Sequence, residues 1–243
     1  MLKLKKFLVG IRPSSKMFRI PSIDGLIIDA VLARRGMRPI EDEYYKEIAT
    51  NHEQGTFRLQ NKEQGNILRV DMSNVVLIKD AYESEAHINT EKALIEFESI
   101  WITLNEILEM YDVRRIGIAA EFQIESSEKN PNIPAMELLC KLKTPPHPGK
   151  FHLRFEDRRE TKEGVAPDVD KSDFVNVIYD FYDSELDAEH PSSGSLNANI
   201  DYQKYFSPLL SRNIWDEVKI QSRKFESELK SFKTQLKEYK LVS

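Results

Sequence analysis

In the stretch from Glu91 to Tyr111 the apolar residues fall at Leu94, Phe97, Trp101, Leu104, Leu108 and Tyr111, with gaps that alternate three and four. That is a heptad seam, and Ile100 and Ile107 widen it into the face of a core-covering helix. The alternation returns near the C-terminus at Trp215, Val218, Ser222, Phe225, Leu229, Phe232, Leu236 and Tyr239, which predicts a long helix over 211–240 with Ser211 as its cap. Towards the N-terminus, Lys6 to Ser14 reads as a strand. Ser22 then caps a helix from Ile23 to Arg35, whose apolar face is Ile23, Leu26, Ile27, Ala30 and Val31 and whose stop is Gly36. A polar connector from Arg38 to Gly55 is expected to hold a helical turn at Tyr44 to Ala49. Thr56–Asn61, Asn66–Ser73 and Val75–Asp80 alternate as strands. Turn chemistry at Lys62–Gly65 and at Ser73–Asn74 makes them an antiparallel meander.

The order then repeats. Arg115–Glu125 reads as a strand, Ala135–Leu142 as a short helix, and the run TPPHPG from Thr144 to Gly149 breaks the chain. Lys150–Glu160, Phe174–Asp183 and Leu196–Tyr205 supply three further strands, linked by Glu160–Asp173 and Ser184–Gly194, which read as long, mobile hairpin loops. The fold class is therefore α+β: two pseudo-repeats of strand, helix, three strands and helix, with a mainly antiparallel sheet. The halves are 1–113 and 114–243, the second closed by the longer helix. Aligning Trp101 with Trp215 predicts that the two indoles occupy equivalent buried positions, with their helices on one face of one or two antiparallel sheets.

Composition narrows the class. A chain of 243 residues is long enough to bury a core without help from a metal. Cys140 is the only cysteine, so no intrachain disulfide can form, which fits a reducing cytoplasm. The basic N-terminus carries an apolar run only from Phe7 to Ile11, too short for a signal-peptide core, and no window approaches a membrane span. The net charge of -5 disfavours a protein that coats nucleic acid. From Ser211 to Ser243 eight Lys or Arg stand against five Asp or Glu, a charge balance that reads as a solvated helix face.

Catalytic signatures are missing from the sequence. There is no G-x-S-x-G, phosphate-binding loop or dinucleotide fingerprint, and the five histidines (His52, His87, His147, His152 and His190) have no metal-ligand spacing. Asp168, Asp170 and Ser172 open like a calcium loop, yet Asp173 stands where that loop needs glycine and Tyr179 where it needs the bidentate Glu. Glu217 and Lys219 have the spacing of a nuclease E-x-K, but on a helix rather than a strand. No cofactor or metal is expected. Dispersed carboxylates such as Asp71, Asp180 and Asp201 leave a metal-dependent nuclease or hydrolase as the alternative. Arg154, Arg158 and Arg159 form a basic strand edge suited to an anion or an acidic partner, or to protecting that edge by charge.

The run from Thr56 to Ile124 carries a polar strand pair, VVLIKDAY, an aromatic-rich helix and VRRIGIAAEFQI. It resembles a sporadically distributed prokaryotic family of uncharacterised proteins, whose corresponding strand reads close to RIGLRYIN. Arg115, Ile116 and Gly117 match the start of that strand, Tyr82 matches a tyrosine before the helix, and NANIDYQKYF from Asn197 to Phe206 stands at a similar strand of the second half. Ala119 and Ala120 depart from the pattern, and the family's N-terminal Pro-Pro appears only as Ile20-Pro21-Ser22. The resemblance implies an α+β fold and an occurrence typical of mobile elements or antiviral systems. It brings no catalytic residues.

The resulting expectation is a non-enzymatic interaction component of a prokaryotic, cytoplasmic multiprotein system. It would engage a protein partner or a second copy through a coiled-coil contact of Phe225, Leu229, Phe232, Leu236 and Tyr239, a stripe flanked by lysines and glutamates, the alternative being that the helix runs back over the chain's own N-terminal half.

Overall fold

Strand β1 (Leu2–Pro13) and strand β6 (Val113–Glu125) lie side by side at the middle of one sheet. Each alternates along its length. Phe7, Val9 and Ile11 of β1, and Ile116, Ile118, Ala120, Phe122 and Ile124 of β6, are buried on one face, while the residues between them point to the other. The computed structural model describes residues 2–33, 47–51, 53–84, 87–125, 132–141, 151–159, 167–183, 195–238 and 241.

Between β1 and β6 come helix α1 (Ile20–Ala33), strands β2 (Glu47–Asn51), β3 (Thr56–Asn61), β4 (Asn66–Val70) and β5 (Val75–Asp80), and helix α2 (Thr90–Leu108). After β6 come α3 (Asn132–Leu139), β7 (His152–Arg159), β8 (Phe174–Asp183), β9 (Ser195–Leu210) and α4 (Ile214–Glu238). Among the described residues nine strands form one antiparallel sheet, in the order β2-β3-β4-β5-β1-β6-β9-β8-β7. The α+β class and the antiparallel meander β3–β5 follow the sequence pattern. The halves divided at residue 113 share this single sheet through β1 and β6. Outward from that central pair, both sides place the last strand of the half first and the middle strand next.

The four described helices all contribute to one hydrophobic cluster on the first face. It holds Ile27 and Val31 of α1, Phe97 and Trp101 of α2, Ala135 of α3, and Phe225 and Phe232 of α4. Each large side chain so buried contributes about 1.5–3 kcal/mol. Helix α2 starts where Asn89 accepts a hydrogen bond from the Lys92 amide at 2.9 Å, and stops where Glu109 turns left-handed at φ 51°. No described helix is long and apolar enough to cross a membrane.

Three sequence expectations are corrected. Of the helical turn expected at Tyr44–Ala49, the described part, Glu47 to Ala49, belongs to β2, because pairing with β3 from Glu47–Gln60 to Asn51–Thr56 overrides local propensity. Trp101 and Trp215 are not equivalent. Trp101 is 3% exposed in the middle of α2, whereas Trp215 opens α4, is half-buried, and packs its ring 6.3 Å from Phe97.

The third correction concerns the stripe on α4. Phe225, Phe232 and Leu236 are 2%, 2% and 1% exposed. Phe225 lies 6.4 Å from Phe7, Phe232 lies 5.7 and 5.8 Å from Tyr179 and Phe181, and Leu229 packs partly buried against the same core. Of the residues expected to meet a second chain, Phe225, Phe232 and Leu236 are covered by the chain's own sheet and Leu229 partly so, and Tyr239 falls outside the described residues. A helix of 25 residues is about 37 Å long, enough to cross several strands, so the extra heptads are used on β1, β6 and β8.

Candidate functional site

The second face of the sheet carries no described helix, and register assigns its residues. Across the middle, Arg58 of β3 stands opposite Arg69 of β4, then come Val76, Gly10, Gly117, Gln203 and Asn176. One row along, Ile78, Leu8, Ala119, Asp201 and Ile178 follow one another. At the other flank, Arg12 stands opposite Arg115, which stands opposite Tyr205, itself stacked on Phe174 at 4.4 Å.

Where Gly10 faces Gly117, two side chains are missing from neighbouring strands, and the face sinks into a dent of about 160 Å³. Leu8, Val76 and Ala119 are its apolar walls and Asn74, Arg115, Asp201 and Gln203 its polar rim. The two glycines differ. A Cβ on Gly10 would meet Val76 Cγ2 at 3.1 Å and the Val75 carbonyl at 3.2 Å, so a side chain there would press β1 against β5. A Cβ on Gly117 would meet nothing within 4 Å.

The polar rim is interlocked. Arg115 donates to the Tyr205 hydroxyl at 3.3 Å and to Asn74 Oδ1 at 3.4 Å. Gln203 donates to Asp201 Oδ2 at 2.6 Å and accepts from Tyr205 at 2.9 Å. Burial pushes the Asp201 carboxyl above the usual carboxylate range, against the opposing pull of Gln203, Arg115 and Arg154. An acid whose folded-state pKa is raised binds its proton more tightly when folded. Stability is therefore fullest below the ordinary carboxylate pKa and is lost as pH rises through the raised one. Asp201→Asn is expected to raise the melting temperature at pH 7, with the two proteins converging towards pH 3. A lower melting temperature for the variant at pH 7 would show that the charged carboxylate is a net stabiliser.

Further along the same face, Tyr82 donates to Glu121 and contacts Asn197 Oδ1 at 3.1 Å, while Tyr182 reaches the same carboxylate. Burial, followed by the Glu121 carboxylate, raises the pKa of Tyr82 and of Tyr182. This network ties the segment before α2, where the sequence drew attention to Tyr82, onto β6 and β9.

The cations expected at the edge divide between faces. Arg154 and Arg158 lie on the face without helices. Arg158 is paired with Glu156 at 2.9 Å, and Arg154 stands 3.6 Å from Glu156 and 3.9 Å from Asp180. Arg159 lies on the helix face, where Glu228 of α4 and Asp157 engage its guanidinium within the chain. With β7 as the edge strand, these alternating charges also guard an open ladder.

The dispersed carboxylates do not converge. Asp71 caps the β4–β5 turn by accepting from the Ser73 amide at 2.8 Å and from Asn74 at 3.1 Å. Asp180 meets His152 Nε2 at 2.6 Å, and Asp201 belongs to the dent. Among the described residues no group of three or more His, Cys, Asp or Glu side chains is placed to hold a metal ion. Asp168 builds a turn, accepting from the Asp170 amide at 2.9 Å, and Lys219 of the E-x-K pair faces Glu98 of α2 at 3.9 Å.

No protein-family model matches the chain, and no curated protein matches it. Among solved structures it is similar to a rolling circle replication initiator protein from Geobacillus stearothermophilus. The match has 10% identity, covers 92% of this chain and 80% of the other, and has a TM-score of 0.28. A likeness that slight carries no argument about this chain.

Proposed function

We propose that this chain is a non-enzymatic recognition module of a multiprotein system in the prokaryotic cytoplasm, and that it binds through the sheet face opposite its helices. The observation that carries the reading is the dent at Gly10 and Gly117. It lies in the centre of a wide sheet, on the face without described helices, and is rimmed by polar groups of both halves. Packing against β5 accounts for Gly10 but not for Gly117, where a strand pair that served only the core would place a β-branched or aromatic residue. The shared order of strands outward from β1 and β6 supports a further reading, that the two halves arose by duplication. In that case the dent sits where the two repeats meet. The heptad stripe of α4 is occupied by the core, so the interaction surface moves from that helix to the sheet.

Gly117→Leu is the informative variant, because a Cβ there meets nothing within 4 Å and the added side chain projects from the floor of the dent. Proteins co-purifying from cells with the wild type should be lost with Gly117→Leu and retained with Lys230→Glu, a control on the exposed side of α4. Equal recovery by all three would overturn the reading. The rival, a metal-dependent nuclease or hydrolase, predicts turnover of DNA or RNA with magnesium or manganese. Turnover abolished by Asp180→Ala or Asp201→Ala would replace the binding module with an enzyme.

A further inference from the structure

On the reading that this sheet face is the binding surface, we infer that its ligand is a single-stranded nucleic acid, with phosphates on Arg58, Arg69, Arg12 and Arg115 and one base in the dent that Arg115 rims. Arg58 and Arg69 are register partners on adjacent strands, and so are Arg12 and Arg115. Like charges placed directly opposite each other destabilise a sheet, and here the arrangement occurs twice, on β3 and β4 across β5 from the dent and on β1 and β6 at its rim. Asp71 meets Arg69 at 3.1 Å and Asp201 faces Arg115. Two carboxylates against four guanidiniums leave the stripe cationic in a chain whose net charge is -5. From β3 to β6 the stripe crosses four strand spacings, roughly 19 Å, which suits an extended polyanion better than a single ion. All four cations are arginine, whose planar fork matches phosphate oxygens in pairs.

The dent selects among polyanions. Its floor is the backbone of Gly10 and Gly117, its walls are aliphatic, and its rim offers donors from Arg115 and acceptors from Asp201 and Asn74. A flat heterocycle with amino and carbonyl edges satisfies that set. The carboxylate of an acidic polypeptide would meet Asp201 and be repelled. A duplex keeps its bases stacked and paired, so the strand must be single, with one base turned outward.

Fluorescence anisotropy with labelled single-stranded DNA and RNA of mixed sequence tests this. Four phosphate contacts predict a slope of log K against log salt near about -3, at roughly 0.7 per phosphate. Arg12→Gln with Arg115→Gln should reduce that slope by about half. Gly117→Leu should weaken binding at every salt concentration and leave the slope unchanged. Absence of binding at low salt, variants that bind like the wild type, or displacement by polyglutamate as effective as by unlabelled oligonucleotide would each overturn the inference. Loss of co-purifying proteins with Gly117→Leu, but no oligonucleotide binding, would leave the recognition face standing and remove only its ligand. Retention of those proteins by Gly117→Leu would remove the face itself.

Discussion

Phe232→Ala is expected to destabilise the protein by about 3–5 kcal/mol, the usual cost of truncating a fully packed aromatic. Set against a typical stability of 5–15 kcal/mol, this removes a large part of the margin. Phe232 is 2% exposed and its ring contacts Tyr179 and Phe181 on β8, so the variant leaves a cavity between α4 and the sheet. The surrounding strands cannot close that cavity, because β8 is hydrogen-bonded on both sides, to β7 and to β9. Urea denaturation should show a lower midpoint with an unchanged slope, and light scattering should give the same mass as the wild type. If stability stays within about 1 kcal/mol of the wild type and the mass falls, Phe232 was holding a second chain rather than the sheet.

That helix also shows how far the sequence could be read. A three-four alternation of apolar residues states that one side of α4 is covered, and the same alternation serves a coiled coil and a helix lying across a sheet. The distinction depends on sheet width, which the pairing of β1 with β6 sets, and those strands are more than 100 residues apart in the chain. Local pattern placed β3, β5 and β8 within a residue of their observed ends, because strict alternation bounded by turn residues leaves little freedom. It misread Glu47–Ala49, a polar edge strand whose extended form comes from its partner β3. Matching the two tryptophans misled for a related reason: a shared residue type says nothing about depth in a helix.

The dent was harder to see. Gly10 and Gly117 look unremarkable in a list of nine glycines, and only register puts them opposite each other. Arg58 and Arg69 share a hairpin whose meander was legible, so their confrontation was the one signal of this face that the sequence could have yielded. Arg115 stands in a strand pattern in the sequence, but its register partner Arg12 lies 103 positions earlier and local pattern does not join them.

Lys79→Met is the second variant from which a large effect is expected, about 3 kcal/mol of lost stability. Lys79 points from β5 into the helix side of the sheet, where its ammonium donates to Glu96 of α2 and to Asn66 Oδ1 of β4 at 2.7 Å. The side chains of Lys79 and Glu96 are only 12% and 8% exposed. Removing one partner of a buried ion pair takes away the compensating charge while the desolvation of the other remains, which costs about 3–5 kcal/mol. Replacing both with apolar residues of similar volume is often close to neutral. The lower end of that range applies here because both groups keep some contact with solvent. Lys79→Met with Glu96→Leu should therefore recover most of the loss, and a double-mutant cycle should give a coupling of at least 1.5 kcal/mol, within the range found for residues in contact. Additive losses would mean that the lysine stem, packed against α2, contributes through its methylenes and that the charge pair is incidental.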